Sequence, residues 1–411
     1  MISITLIMKK TVLSLAVLFG ATGFVCAQNT SDVSSRGNAN SATITQTGEN
    51  NDSDVNQDGD ILAIGGDANV ATVTQTGDSN KSSIESLGDR NNATVNQVGS
   101  GNDAYILQGA GNAEDNMASS NQTGLDNQSI QTQYYDNNVA TIDQTGDENW
   151  ARQRQNSGPN QSAGNTADID QIGNGNWADQ KQDGNGNWTY TLQSGDDNSA
   201  DQKQNGDNNY GYNYQFGNSN NTTQNQVGNS NLTYTYQDGD LNSSIQEQTG
   251  DSNFAIAAQV GDSNTATQIQ TGDSNYAEGF QTGNFNTFSQ TQTGDSNHAH
   301  VDQTGDRNVA AQTQLGDTNE SYIDQLGNDN TAMNLQEGID NMSDIDQTGG
   351  NNYSNVEQFG NANESGVFQI GDNNSADVNQ LQDGTAAGNM STVNQNGTGN
   401  TATVTQDTDN I

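Results

Sequence analysis

The 411-residue sequence predicts an all-β chain: a β-solenoid, cross-β and amyloid-like, with two strands per rung and a 22-residue rung made of two 11-residue units. Three observations predict it. A glutamine falls at every eleventh position from Gln171 to Gln369 without a slip. A second period of 22 residues lies inside the first. Only 29% of residues are hydrophobic, against roughly 45–50% in globular chains, so a conventional apolar core is out of reach. Low hydrophobicity with a net charge of −41 also marks disordered chains. Disorder, however, gives no reason to hold phase over nineteen consecutive units.

Residues 1–27 read as a signal peptide: Lys9 and Lys10 form a basic start, Thr11 to Phe24 are mostly apolar, and Val25-Cys26-Ala27 offers a cleavage site. Met8 offers a second start. A membrane span is the competing reading, but the apolar run falls short of the ~20 residues that a span needs. Lipidation at Cys26 is the other alternative, and Phe24-Val25 is a poor approach to it. Cys26 is the only cysteine, so cleavage after Ala27 leaves no disulfide or thiolate metal site. Cleavage also leaves a net charge of −43, because residues 1–27 hold two lysines and no acids. Nucleic acid and anionic membrane surfaces are therefore disfavoured partners. Residues 28–39 read as a short N-terminal segment, and residues 40–411 as the repeat solenoid.

Each unit reads Asn-x-Ala-x-x-x-Gln and then x-Gly-x-x. The first seven residues make a strand of ordinary length. Strands have period two, so Asn308, Ala310, Gln312 and Gln314 share one face. The pattern assigns an inward amide ladder to Gln171, Asn176, Gln180, Gln182, Asn198, Gln202, Gln204, Asn220, Gln224, Gln226 and Asn242. It continues through Gln246, Gln248, Asn264, Gln268, Gln270, Gln290, Gln292, Asn308, Gln312 and Gln314. Stacked amides carry donors and acceptors in equal measure and satisfy one another. Turns fall at Gly173, Gly184, Gly195, Gly206, Gly217, Gly228, Gly239, Gly250, Gly261 and Gly272, where glycine takes positive φ without steric cost.

The 22-residue period shows at the fifth unit position. It is glutamine at 180, 202, 224, 246, 268, 290 and 312, and Thr191, Asn213, Thr235, Ala257, Gly279 and Val301 between them. Two alternating environments imply a coil of strand, turn, strand, turn, each strand stacking on its equivalent one rung later. The phase slips between Gln57 and Gln75, Gln108 and Gln122, Gln155 and Gln171, and Gln380 and Gln395, and recovers each time. Each slip reads as an enlarged turn, and Pro159, the only proline, lies in one. Ile323, Ile345, Val356 and Val367 are expected to fill the thin space between sheets. Both ends of such a coil present unpaired strand edges, which template another chain.

Acids concentrate in the turns: Asp147, Asp207, Asp251, Asp262, Asp273, Asp295, Asp306 and Asp317. They read either as a solvated face or as a brake on assembly released by acid, salt or calcium. Calcium-binding rolls use a nonapeptide period, which eleven does not fit. Trp188, Tyr190, Tyr210, Tyr212, Tyr214, Tyr234 and Tyr236 have the parity opposite to the amides and form an outward aromatic contact face. Tyr190, Tyr212 and Tyr234 belong to one column. That face reads as cross-strand stabilisation or as a surface for lateral packing or adhesion. No catalytic constellation, metal site or cofactor site is expected. His298 and His300, the only histidines, lack an evident third ligand, and no serine has a base at a plausible spacing.

The run Gln303-Thr-Gly305-Asp-Arg-Asn308-Val-Ala310-Ala-Gln-Thr-Gln314, with the partial copy Gln358-Phe-Gly360-Asn-Ala-Asn363, resembles the curlin repeat of curli fibre subunits. The resemblance implies a secreted, non-enzymatic subunit that self-assembles as a homopolymer into extracellular, fimbrium-like functional amyloid. It implies roles in biofilm matrix, adhesion and cell aggregation, with a minor nucleating subunit and an outer-membrane secretion pore as partners. This chain carries many more repeats than the family's short subunits. Competing readings are a monomeric secreted solenoid that binds carbohydrate or ice, hinted at by Thr43, Thr45, Thr72 and Thr74, and a disordered surface coat.

Overall fold

A computed structural model describes residues 28–58, 66–109, 113–158, 163–382 and 388–407. The signal-peptide reading, Cys26 and Pro159 lie outside the described residues. The described residues form 33 strands and no helix, in two compact units that divide after Asn187.

The first unit holds β1 (Thr30–Ser35), β2 (Ser41–Thr47), β3 (Asp52–Asp58), β4 (Val70–Asp78), β5 (Lys81–Leu87), β6 (Asn92–Ser100) and β7 (Asp103–Gln108). It continues with β8 (Met117–Leu125), β9 (Gln128–Tyr134), β10 (Val139–Thr145), β11 (Trp150–Asn156), β12 (Thr166–Ile172) and β13 (Trp177–Asp183). Odd strands pair with odd and even with even, always parallel. Consecutive strands therefore alternate between two sheets.

The second unit repeats this plan. It opens with β14 (Trp188–Ser194), β15 (Ser199–Asn205), β16 (Tyr210–Phe216), β17 (Asn221–Val227), β18 (Leu232–Asp238), β19 (Ser243–Thr249) and β20 (Phe254–Val260). Next come β21 (Thr265–Thr271), β22 (Tyr276–Thr282), β23 (Thr287–Thr293), β24 (His298–Thr304), β25 (Val309–Leu315), β26 (Glu320–Leu326) and β27 (Thr331–Glu337). Last are β28 (Met342–Thr348), β29 (Tyr353–Phe359), β30 (Glu364–Ile370), β31 (Ser375–Leu381), β32 (Met390–Asn396) and β33 (Thr401–Asp407). Both units are all-β two-strand coils, as the double period predicts.

Strand burial alternates strictly, as in β20 with its pattern iBiBiBe. The strand starts one residue later than the sequence pattern suggests: Val309 opens β25, and Asn308 closes the preceding turn while still facing inward. Stacked partners are 22 residues apart along the regular stretches, as in Gln224 over Gln246. The offset widens to 29, 25, 27 and 26 where the phase slips. These glutamine pairs stay in register across each slip, although Gln57 meets Ser86 across the first, so the extra residues fall between strands.

The stretch set apart as a short N-terminal segment contributes β1, paired with β3 from Thr30↔Asp52 to Ser35↔Gln57. It escaped the repeat pattern because Ser35 stands where the signature glutamine should be. Its fifth unit position, Val33, still carries the apolar residue that packs on the core.

The interior is thin and graded. Val55, Val73, Ile84, Val95 and Ile106 make an aliphatic cluster in the first unit. Val301, Ile323, Ile345, Val356 and Val367 make one in the second, together with Phe288. Phe288 occupies a position that usually holds alanine. Gly279 makes room for it: a Cβ there would lie 2.2 Å from the Phe288 ring.

Candidate functional site

An open cleft among the described residues is lined by Asp302, Asp324, Asp346 and their neighbours, but the recurring elements are columns. The glutamine columns come first. Every amide that the sequence pattern assigns to the ladder, from Gln171 to Gln314, is buried. At the fifth unit position Gln202, Gln224, Gln246, Gln268, Gln290 and Gln312 form one chain of amide bonds of 2.7–2.9 Å. At the seventh, Gln204, Gln226, Gln248, Gln270, Gln292 and Gln314 form another, of 2.8–3.0 Å. In the first unit Gln144 donates to Gln171, Gln153 to Gln180 and Gln155 to Gln182. Each Nε2 has a second proton, which the sequence pattern did not assign. It goes across to a carbonyl of the facing sheet: Gln246 to Tyr234 O, Gln248 to Leu232 O. Every such glutamine thus ties rungs together and sheets together.

The asparagine columns differ from a simple amide ladder. The side-chain oxygen accepts the next asparagine's backbone N–H, as from Asn220 to Asn198, Asn242 to Asn220 and Asn264 to Asn242, at 2.9–3.0 Å. The side-chain nitrogen donates to a turn glycine carbonyl: Asn198 to Gly217, Asn308 to Gly327. The Asn176 backbone N–H donates to the Asn149 side-chain oxygen in the same way. The asparagines are turn locks, and they need to be asparagine because one side chain must both accept and donate.

The ten turn glycines have φ between 104° and 130°. From Gly195 to Gly272 a Cβ would also lie 2.0–2.2 Å from the carbonyl oxygen of the glycine one rung on. Glycine is therefore required twice, for its dihedral and for the stacking distance. The third turn residue is left-handed too, at Ser219, Ser230, Ser252 and Ser263 (φ 57–60°). The abundance of serine, asparagine and aspartate there is the signal that could have found it.

The turn aspartates do more than carry charge. Asp273 accepts the N–H of Asp251, Asp295 that of Asp273, and Asp317 that of Asp295, at 2.8–2.9 Å. Asp262 and Asp306 serve Asp240 and Asn284 in the same way. Arginine partners lower two turn carboxylates, Asp115 by Arg90 and Asp329 by Arg307, whereas the carboxylates that are pushed upward lie on the outer sheet face. Asp302, Asp324 and Asp346 form one column over β24, β26 and β28. Burial pushes Asp346 up to about 6, with Asp344 and Asp324 adding repulsion. Asp168 reaches about 6 for the same reasons beside Asp170 and Asp143.

The aromatic residues sit on the outward face of β14, β16 and β18. Tyr190 pairs with Tyr212 and Tyr212 with Tyr234, in register. Their rings, however, meet along diagonals as well: Tyr190–Tyr214 at 5.4 Å, Tyr214–Tyr234 at 5.6 Å and Phe216–Tyr236 at 5.7 Å. Trp188 and Tyr210 are the most exposed members. Just beyond, His300 Nδ1 lies 2.9 Å from Glu278 and His298 Nδ1 3.2 Å from the Tyr322 hydroxyl. Both histidines are thus engaged with outer-face neighbours. No group of three metal-ligating side chains occurs among the described residues. A second aromatic pair went unnoticed in the sequence: Trp150 and Trp177, one rung apart, stack at 5.2 Å.

The outermost strands complete the site. β1, β2 and β33 contain no fully buried position, whereas inner strands bury three of seven. The curlin associated repeat, as a family model, matches residues 29–59, 294–327, 305–333 and 349–381. No curated protein matches the chain.

Proposed function

We propose that this chain, which carries curlin associated repeats, is an exported structural subunit. Its copies add end to end to build extracellular functional amyloid, a fimbrium-like fibre of the cell surface that serves biofilm matrix, adhesion and cell aggregation. One observation carries the reading: amide columns run in register to end strands that, among the described residues, pair on one side only. Such an edge has its backbone donors and acceptors spaced for one more rung, and what fits best is the same sequence again. The columns perform no chemistry. Their work is to make each added rung repeat the hydrogen bonds of the last, as stacked repeats do.

The outward tyrosines supply a surface for lateral packing or adhesion. A nucleating subunit and an outer-membrane pore belong to this reading as partners, and residues 1–27 as the export signal. The test is incubation of purified chain beginning at Gln28. Seeded growth of fibres with a ~4.7 Å meridional repeat is the expected result. A β-rich monomer that stays soluble would instead return the reading to a binding solenoid, and a random-coil spectrum to a disordered coat.

A further inference from the structure

The fibre reading leaves open how two copies meet, and the end strands contain the answer. We propose that β1 of one copy stacks on β32 of its neighbour and β2 on β33, so that successive copies join with their two sheets exchanged. The proposal rests on the fibre reading above.

The first argument is the order of the coil. Strands alternate between sheets, so the open position after β33 is the one on top of β32. The first strand of an incoming copy fills it, and its second strand then lands on β33. The alternative, β2 directly on β32, would push β1 into the space that β33 occupies.

The second argument is the identity of the columns, which exchange sheets between the two ends. At the third unit position, the N-terminal strands have serine on β1, β3 and β5 (Ser31, Ser53, Ser82) and alanine on β2, β4 and β6 (Ala42, Ala71, Ala93). The C-terminal strands have serine on β28, β30 and β32 (Ser343, Ser365, Ser391) and alanine on β31 and β33 (Ala376, Ala402). Over the terminal strands serine is thus in the odd sheet at one end and in the even sheet at the other; further in, β29 of the odd sheet also carries serine, Ser354. Only the exchanged junction puts Ser31 on Ser391 and Ala42 on Ala402. The same placement sets Val33 on Val393, Ile44 on Val404 and Gln46 on Gln406. Outside, Thr43 falls on Thr403 and Thr45 on Thr405.

The third argument is direction. Serine hydroxyls donate toward the N-terminal side, Ser82 to Ser53 at 3.0 Å and Ser391 to Ser365 at 3.3 Å. Glutamine amides donate toward the C-terminal side, Gln46 to Gln75 and Gln380 to Gln406, both at 2.8 Å. Asparagine oxygens accept from the following rung, Asn40 from Asn69 and Asn374 from Asn400. Across the junction Ser31 donates to Ser391, Gln406 to Gln46, and the Asn40 N–H to Asn400. All three senses continue unbroken. The contact also covers Val33, Ala42, Ile44, Ala402 and Val404, which are only partly buried at the two ends.

Disulfide mapping in fibres tests the junction. In-register residues one rung apart have Cα atoms ~4.8 Å apart, within the ~4.4–6.8 Å that a disulfide spans. Fibres are grown from equimolar mixtures of single-cysteine chains that begin at Gln28 and are then oxidised. Thr43→Cys with Thr403→Cys, and Asp32→Cys with Thr392→Cys, should each give a crosslinked dimer on a non-reducing denaturing gel. Thr43→Cys with Thr392→Cys should not. All these side chains face outward, so the second pair stands in should one variant of the first fail to assemble. Crosslinking of Thr43→Cys to Thr392→Cys, or of none of the pairs, in well-formed fibres overturns the junction while the fibre reading stands. Absence of fibres from the unsubstituted chain overturns both.

Discussion

Within the second unit, the rungs from Trp188 to Thr249 and those from His298 to Ile370 are opposites. The first group is polar inside: Thr191, Gln202, Asn213, Gln224, Thr235 and Gln246 fill the fifth unit position, all buried. The second group has Val301, Ile323, Ile345, Val356 and Val367 in that place for the most part. Outside, the order reverses. One outward column reads Leu192, Tyr214 and Tyr236 in the first group and Asp302, Asp324 and Asp346 in the second. Strand length and the 22-residue offset are the same in both. The coil is therefore set by what the two groups share: turn glycines, asparagine locks and the seventh-position glutamines. The fifth position is free to be amide or aliphatic, and columns mostly keep one character over several rungs, with direct changes such as Ile106 on Gln131 and Asn334 on Val356. Where the inside gives up apolar area, the outer face regains some of it as ring contacts.

Crossing the columns should break this rule most severely. Ile345→Gln places an amide between Ile323 and Val367, with no partner in the column and a fully buried site around it. A cost of about 3–5 kcal/mol is expected from lost packing and an unsatisfied amide. Gln246→Ile removes the link between Gln224 and Gln268 and the tie to Tyr234 O, with an expected cost of about 2–4 kcal/mol. Urea unfolding of the soluble chain measures both. Loss of less than about 1 kcal/mol in each would mean that columns need no chemical identity.

A milder flaw sharpens the comparison in the other direction. Asn213 stacks between Thr191 and Thr235. Thr191 donates to Gln202, and Thr235 bonds Gln224 and Gln246. Among the described residues neither Asn213 side-chain atom has a partner, though both are buried. Asn213→Thr should restore the column and raise stability by about 1–2 kcal/mol, read from the same urea midpoint. An unchanged or lower midpoint would show that the amide is satisfied in a way the neighbours are not.

Much of this was legible in the sequence because repetition removes ambiguity. Gln202, Gln224 and Gln246 announced their column by spacing alone, as did Gly217 and Gly239 for the turns. What stayed hidden depends on pairs rather than periods. The accommodation of Phe288 by Gly279 involves strands in facing sheets, and no period relates them. β1 was hidden because Ser35 breaks the signature. The turn aspartates looked like bare charge because a carboxylate's backbone partner, such as Asp251 N–H for Asp273, leaves no mark in composition. The carboxyls displaced toward neutrality, Asp168 and Asp346, needed the neighbours that stacking brings beside them.

Those carboxyls make the two groups respond differently to acid. Asp346 is pushed up to about 6 from an ordinary 3.8, so the native chain binds a proton in that window that the unfolded chain does not. Stability of these rungs therefore rises as pH falls from 7.5 through 6, and the gain is complete near 3.8. His298, lowered by burial, acts in the opposite sense, so the clean readout is β28 rather than β24. Hydrogen exchange, corrected for intrinsic rate, should show β28 better protected at pH 5 than at pH 7.5. The tyrosine rungs carry Tyr212, Tyr214, Tyr234 and Tyr236, all pushed upward by burial and silent in this range. Asp346→Asn should remove most of the gain at β28; an intact gain would assign it to other groups.

The smallest effect on the folded chain should have the largest consequence between fibres. Replacing Tyr190, Tyr212 and Tyr234 by serine removes the rings of one outward column and leaves the inward Gln224 and Gln246 ladder untouched. Each lost ring contact is worth about 0.5–1 kcal/mol in the monomer, spread over three rungs that remain locked by their turns. If growth proceeds at the terminal edges, as proposed, elongation rates should change little while bundling and surface adhesion fall. Tyr322→Ser, among the acidic rungs where repulsion already keeps neighbours apart, should alter neither. If elongation and bundling decline together in the triple variant, the outer aromatics are part of the scaffold itself, and the contrast between the two groups of rungs is one of internal packing alone.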